Sequence, residues 1–211
     1  FLTNARPDTV WDKQAQHEQA RRMAADCMVL LKNEGGLLPL AKDAKVAVIG
    51  PFAKQPRFQG GGSSHIRTTQ VTSAWDVLGS WPNVTYAEGY AGDGIAPDER
   101  LLAEAEAAAR KADVAVVFAG LPDSFESEGY DRTHMHMPAC QEALIERVGR
   151  ANPNTVVVLH NGSPIEMPWL GSARAVVEAY LGGQAVGGAA VDVLFGDVNP
   201  SGRLPESFPL R

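Results

Sequence analysis

The chain has 211 residues, 45% of them hydrophobic, which is enough to close one core of ordinary domain size without disulfides or a structural metal. A formal charge of −6 and a pI near 5.4, with no run of Lys or Arg, exclude the electrostatic footprint of a nucleic-acid binder. No apolar run approaches the roughly 20 residues that span a bilayer, and Phe1-Leu2-Thr3-Asn4 does not begin a basic-then-apolar leader, so a soluble chain without a membrane partner is expected.

Residues 1–16 are polar and lack a period, and they read as a connecting arm ahead of a domain covering 17–211. From His17 to Lys32, apolar positions at Ala20, Met23, Ala24, Cys27, Met28, Leu30 and Leu31 recur at helical spacing, and Asn33-Glu34-Gly35-Gly36 ends that helix. Lys45 to Gly50 is a continuous apolar run, the mark of a strand buried on both faces in a parallel sheet. Val84 to Ala87 is a weaker strand, and Asp98 to Lys111 is a helix on propensity. Val114 to Ala119 and Thr155 to Leu159 repeat the buried-strand pattern, with a helix from Ala139 to Arg150 between them and Pro138 where a helix tolerates proline. Ala173 to Tyr180 fits either strand or helix, and Ala185 to Leu194 is a further helix. Cys27 and Cys140, far apart within helical patterns, read as buried free thiols. Alternating strands and helices predict an α/β fold, a three-layer αβα sandwich around a mostly parallel sheet.

In such sheets ligands gather outside the carboxyl ends of the strands, which directs attention to the loops Pro51 to Arg67, Leu121 to Met137 and His160 to Trp169. Gly60-Gly61-Gly62-Ser63-Ser64 lacks the Lys-Ser/Thr of a Walker loop and does not open a helix directly after the strand, so phosphate binding is disfavoured against a structural turn or a polar-ligand loop contacting through His65 or Arg67. The second loop crowds Asp123, Glu126, Glu128, Asp131, Arg132, His134 and His136 directly after a buried strand. A solvated acidic loop balanced by Arg132 is the ordinary explanation. Gly129 beside Glu128 favours instead a backbone that admits a substrate closely. His134-Met135-His136 could chelate zinc on an extended segment, yet no third ligand is evident, and neither a metal nor any other cofactor is expected. Asn161-Gly162-Ser163-Pro164 is not a nucleophile elbow, which argues against serine chemistry.

Taken in order, these segments resemble glycoside hydrolase family 3. The stretch Val29-Leu30-Leu31-Lys32-Asn33-Glu34-Gly35-Gly36-Leu37-Leu38-Pro39-Leu40 is followed by Val46-Ala47-Val48-Ile49-Gly50-Pro51, the glycine loop and Glu126-Ser127-Glu128-Gly129-Tyr130-Asp131-Arg132. Gly162-Ser163-Pro164-Ile165-Glu166-Met167-Pro168-Trp169 comes next, and the chain closes on Leu194-Phe195-Gly196-Asp197-Val198-Asn199-Pro200-Ser201-Gly202-Arg203-Leu204-Pro205-Glu206-Ser207-Phe208-Pro209. The match departs at Gly183-Gln184-Ala185, where the family more often has Glu after Gln.

The resemblance implies the C-terminal sandwich domain of a retaining, exo-acting β-glycosidase of the β-glucosidase type, acting on a terminal β-linked glycoside or oligosaccharide with two carboxylates. It implies a nucleophilic aspartate on a preceding (β/α)8 barrel, so that this chain alone is inactive. Position before Gly-Tyr-Asp-Arg carries the acid/base role to Glu128, with Glu126 as the alternative. Gly62, Ser63, Ser64, His65, Arg67, Tyr130 and Arg132 are the expected substrate contacts. The rival is a non-catalytic sandwich for sugar binding or interdomain packing, which some family members use. Sugar identity, oligomeric state and compartment stay open.

Overall fold

The computed structural model describes residues 10–92 and 94–210. Within these residues six strands form one sheet: β1 (Val29–Asn33), β2 (Val46–Ile49), β3 (Val84–Ala87), β4 (Val114–Gly120), β5 (Thr155–His160) and β6 (Ala175–Glu178). They lie in the order β1-β6-β5-β4-β2-β3, all parallel except β1, which runs antiparallel along β6. Among the described residues five helices cover it: α1 (Lys13–Cys27), α2 (Ala74–Leu78), α3 (Glu99–Lys111), α4 (Ala139–Ala151) and α5 (Val186–Leu194).

Strand periodicity divides the core. Val46, Val48, Val116, Phe118, Val156, Val158 and Val177 face one side, where they meet Ala24 and Ala25 of α1, Leu78 of α2 and Val186, Ala190 and Leu194 of α5. Ala47, Ile49, Val117, Ala119, Val157, Leu159 and Val176 face the other, against Leu102 and Ala105 of α3 and Leu144, Ile145 and Val148 of α4. Every residue of β2, β4, β5 and β6 is buried, so these strands read as unbroken apolar runs rather than alternations. The expected three-layer sandwich is the observed fold.

The amino-terminal third differs in detail. The helix begins at Lys13, capped by the Asp12 carboxylate on the N–H groups of Gln14 and Ala15, so the end of the expected arm is helical; residues 1–9 of it lie outside the described residues. The helix stops at Cys27, and Val29–Asn33 leaves it as edge strand β1. Its apolar spacing suited either period, and tertiary context decided. Val29 pairs with Glu178 and Leu30 with Val177, while Gly202 donates to the Met28 carbonyl at 3.0 Å. The ambiguous run at Ala173–Tyr180 resolves as β6, and the short α2, with its Ser73/Asp76 capping box, was not anticipated. Cys140 is buried as expected, with its thiol pushed up to about 11 by desolvation, but Cys27 is exposed at the helix end. Among the described residues no helix is long and apolar enough to cross a membrane.

Candidate functional site

The chain leaves β2 toward α2 on one face of the sheet and leaves β4 toward α4 on the other. The loops diverge and open a crevice at the carboxyl ends of these neighbouring strands. Arg57, from the loop after β2, fills that crevice with a side chain only 5% exposed. Its Nε donates to Asp123 Oδ1 at 2.9 Å, its Nη1 to the Leu121 carbonyl at 2.8 Å and to Glu126 Oε1, and its Nη2 to the Glu126 carbonyl at 3.0 Å. Glu126 is bound from the third loop as well, accepting from the Gly162 N–H and from Ser163 Oγ, each at 2.5 Å. One guanidinium and one carboxylate thus join all three loops. Arg57 makes four hydrogen bonds and Glu126 accepts on both carboxylate oxygens, all within the protein.

Glu128 stands in a different environment two residues later. Ser127 and Tyr130 form an isolated antiparallel bridge, which places Glu128 and Gly129 at the exposed tip of a tight turn. No cation pairs with Glu128 among the described residues; its Oε2 accepts from Ser63 Oγ and, at 2.6 Å, from the Ser63 N–H. The Ser63 hydroxyl first, then its amide, hold the Glu128 carboxyl below the usual carboxylate range. Gly129 does not lie in the left-handed region, and a Cβ there would meet open space, so the expected close approach is not made at that glycine. It is made across the cleft by Gly62, whose φ is 84° and whose missing Cβ would sit 2.6 Å from Glu128 Cβ.

The other expected contacts divide. Ser64 Oγ turns back to the Gly61 carbonyl at 3.3 Å, and His65 Nε2 lies 3.7 Å from Asp123 Oδ2. Tyr130 Oη donates to the Asp123 carbonyl at 2.5 Å while half of the residue stays exposed. Arg132 Nη2 donates to the Pro164 carbonyl at 2.5 Å, and its Nη1 is buried without a protein partner. Arg67 is exposed and makes no hydrogen bond or ion pair among the described residues. Ser63 therefore meets Glu128 directly, Tyr130 and Arg132 border a neighbouring depression, and Arg67 is drawn into neither. A depression of about 260 Å³ lies between Glu128, Glu126, Gly61 and Gly162, beside another of about 410 Å³ bordered by Tyr130, Asp131, Arg132 and His134. A larger cavity of about 710 Å³ lies at the opposite, amino end of the sheet beside Lys45 and Asn83, remote from the converging loops. The His134 and His136 rings stack with centroids 5.1 Å apart, His136 Nδ1 is 2.8 Å from Glu166, and no group of three or more metal-ligating side chains occurs among the described residues.

The sequence did not single out Arg57 or Glu178, and it brought forward Asn161 and Ser163 only as a segment unsuited to serine chemistry. Glu178 ends β6 in full burial, accepting from Asn161 Nδ2 at 3.0 Å and from the Tyr180 N–H at 2.7 Å. Burial pushes its carboxyl well above the usual range, and the nearby Glu126 charge acts in the same direction. Tyr180 holds φ at 51°, a conformation that costs a non-glycine residue about 1–3 kcal/mol. His160, equally buried between Phe52 and Phe118, is pushed down to about 4 by desolvation. A lone carboxylate in the apolar run Ala173–Tyr180 was the available signal for Glu178, and a lone arginine just ahead of the glycines was the signal for Arg57.

Residues 28–211 match the Glycosyl hydrolase family 3 C-terminal domain. The chain is 53% identical to thermostable beta-glucosidase B of Acetivibrio thermocellus over its whole length, and 46% identical over 95% of its length to an exo-alpha-(1->6)-L-arabinopyranosidase of Bifidobacterium longum. It spans 28% of the length of each of these relatives. A beta-glucosidase structure from Bifidobacterium adolescentis superposes with a TM-score of 0.92 at 45% identity, over 98% of this chain and 31% of that one. A Listeria innocua beta-glucosidase in complex with isofagomine superposes with a TM-score of 0.86 at 29% identity, over 99% of this chain and 29% of that one. Family model, relatives and fold agree that this chain belongs to glycoside hydrolase family 3 and corresponds to its C-terminal domain.

Proposed function

We propose that this domain supplies the general acid/base, Glu128, to a retaining exo-acting β-glycosidase of the β-glucosidase type, and that an aspartate on a (β/α)8 barrel of the same enzyme is the nucleophile. The observation that carries the choice of residue is the contrast between the two glutamates. Glu126 is spent on Arg57, Gly162 and Ser163, and moving it would unfasten three loops. Glu128 projects from a turn into an open depression and leaves Oε1 without a protein partner among the described hydrogen bonds.

The barrel aspartate attacks the anomeric carbon while Glu128 donates its proton to the departing glycosidic oxygen, leaving a glycosyl-enzyme ester. The Glu128 carboxylate then takes a proton from the water that hydrolyses that ester. Acid catalysis needs a neutral carboxyl, yet in this domain Ser63 holds Glu128 toward its ionised form. A nucleophile carboxylate about 5–5.5 Å away supplies the opposing push in the assembled site, and its absence leaves the isolated chain inactive. The arabinopyranosidase relative has this domain at 46% identity, so the sugar cleaved is assigned to the barrel, while Tyr130 and Arg132 border the leaving-group side.

The test is made on the full-length enzyme with two β-glucosides, one with an activated dinitrophenyl leaving group and one with plain phenol. Glu128→Ala removes about 10²–10⁴-fold of proton-transfer assistance from phenyl glucoside hydrolysis and far less from the activated substrate. Equal losses on both would refute the assignment.

A further inference from the structure

We infer that Ser63 is a positioning residue for Glu128 rather than a sugar contact, fixing which carboxyl oxygen carries the catalytic proton. The inference rests on the acid/base reading above and goes one step into it.

The glycine-rich loop has the features of an anion cradle, with consecutive glycines, a 3₁₀ turn at Gly62–Ser64 and a backbone N–H directed at a carboxylate. What it cradles is internal. The Ser63 N–H and hydroxyl converge on one oxygen, Oε2, across the gap between the loops after β2 and β4. Three features of sequence meet there. Gly62 holds φ at 84°, which aims Ser63 at the carboxylate, and it has no Cβ to occupy the place of the Glu128 stem. Gly61 likewise leaves room for Ser127, whose Oγ would lie 2.6 Å from a Cβ at that position. Arg57, six residues before Ser63 on the same loop, holds the opposite loop at Glu126, so the two loops are tied two residues ahead of Glu128 as well as at its carboxylate.

A carboxyl oxygen that accepts two hydrogen bonds is a poor site for a proton, so the neutral acid carries its proton on Oε1, the oxygen directed away from Ser63. The same two donors stabilise the carboxylate that must form as the proton leaves. Ser63 thus restrains the rotation of Glu128 and favours its ionised product, contributing to both halves of a double displacement without touching the sugar.

The experiment uses the full-length enzyme with Ser63→Ala, Ser63→Thr and each combined with Glu128→Gln. Ser63 is exposed, so its replacement leaves folding intact. Ser63→Ala should lower kcat/KM for phenyl β-glucoside about tenfold, a fraction of the 10²–10⁴ available from proton transfer, while KM for the dinitrophenyl substrate stays unchanged. The alkaline limb of kcat/KM should move to higher pH, because a donor to the ionised form is lost. Ser63→Thr, which keeps the hydroxyl, should restore both, and Ser63→Ala should add nothing in the Glu128→Gln background. A rise in KM of equal size in both backgrounds would overturn the inference by making Ser63 a sugar ligand, as would an unmoved pH profile. If Glu128→Gln itself spares phenyl glucoside, the acid/base reading falls and this inference with it. If Glu128→Gln behaves as expected and Ser63→Ala is silent, only the inference falls.

Discussion

Replacing Arg57 by alanine removes the group that joins the loops after β2 and β4, and the structure gives the size of the effect. The Arg57 and Glu126 side chains are 5% and 13% exposed, so the substitution strands a carboxylate largely shielded from water. Breaking a buried pair in this way costs about 3–5 kcal/mol. The lower end applies, because Glu126 keeps the Gly162 N–H and Ser163 Oγ as donors, and Asp123, at 54% exposed, is rehydrated easily. A loss of about 3 kcal/mol in a domain of this size lowers Tm by about 6–12 °C. Urea unfolding of the chain followed by circular dichroism measures it, with Arg57→Lys expected to fall between wild type and Arg57→Ala, since one ammonium cannot reproduce a four-bond fork. The double variant Arg57→Ala/Glu126→Ala should be less unstable than the sum of the single variants, as the orphaned charge is gone. A loss under about 0.5 kcal/mol for Arg57→Ala, the usual range for a surface change, would refute the view that this pair holds the site together.

Two further outcomes follow from the same geometry. Gly62→Ala places a methyl against Glu128 in a backbone conformation that L-residues resist, so it should destabilise the chain by about 1–3 kcal/mol and, in the full-length enzyme, reduce phenyl glucoside turnover more than dinitrophenyl glucoside turnover; equal effects on the two substrates would contradict it. Glu178 carries a folded-state acidity constant raised above its unfolded value, so its contribution to stability is complete below the ordinary carboxylate range and is lost as pH rises toward the folded value. Glu178→Gln, neutral throughout, should flatten the decline in urea midpoint as pH rises above the ordinary carboxylate range, and parallel wild-type and variant profiles would show that Glu178 is already ionised in the fold.

The layers were legible because β2, β4 and β5 are buried on both faces and so appear as uninterrupted apolar runs, and α3 declares itself by propensity. β1 was not legible: Val29 to Asn33 continues the apolar spacing of α1, and its strand character comes from pairing with β6, a partner about 145 residues away in the chain whose effect no local pattern carries. At the site, the family motif brought Glu126 and Glu128 forward together, since side chains two residues apart in a loop are chemically alike in sequence. Only the folded positions of Arg57, on the loop after β2, and of Gly162 and Ser163, on the loop after β5, separate them. Gly129 attracted attention by adjacency, whereas the glycine that admits Glu128 is Gly62, 66 positions earlier.

The most direct measurement of the central claim is azide rescue in the full-length enzyme. A Glu128→Ala variant turning over dinitrophenyl β-glucoside accumulates a glycosyl-enzyme that lacks its general base, and azide, a nucleophile that needs no deprotonation, should accelerate its breakdown and yield a β-glucosyl azide. That product, with little acceleration of the wild type, is the result predicted here. Absence of rescue in Glu128→Ala together with azide product from Glu126→Ala would transfer the acid/base role to Glu126 and contradict the account.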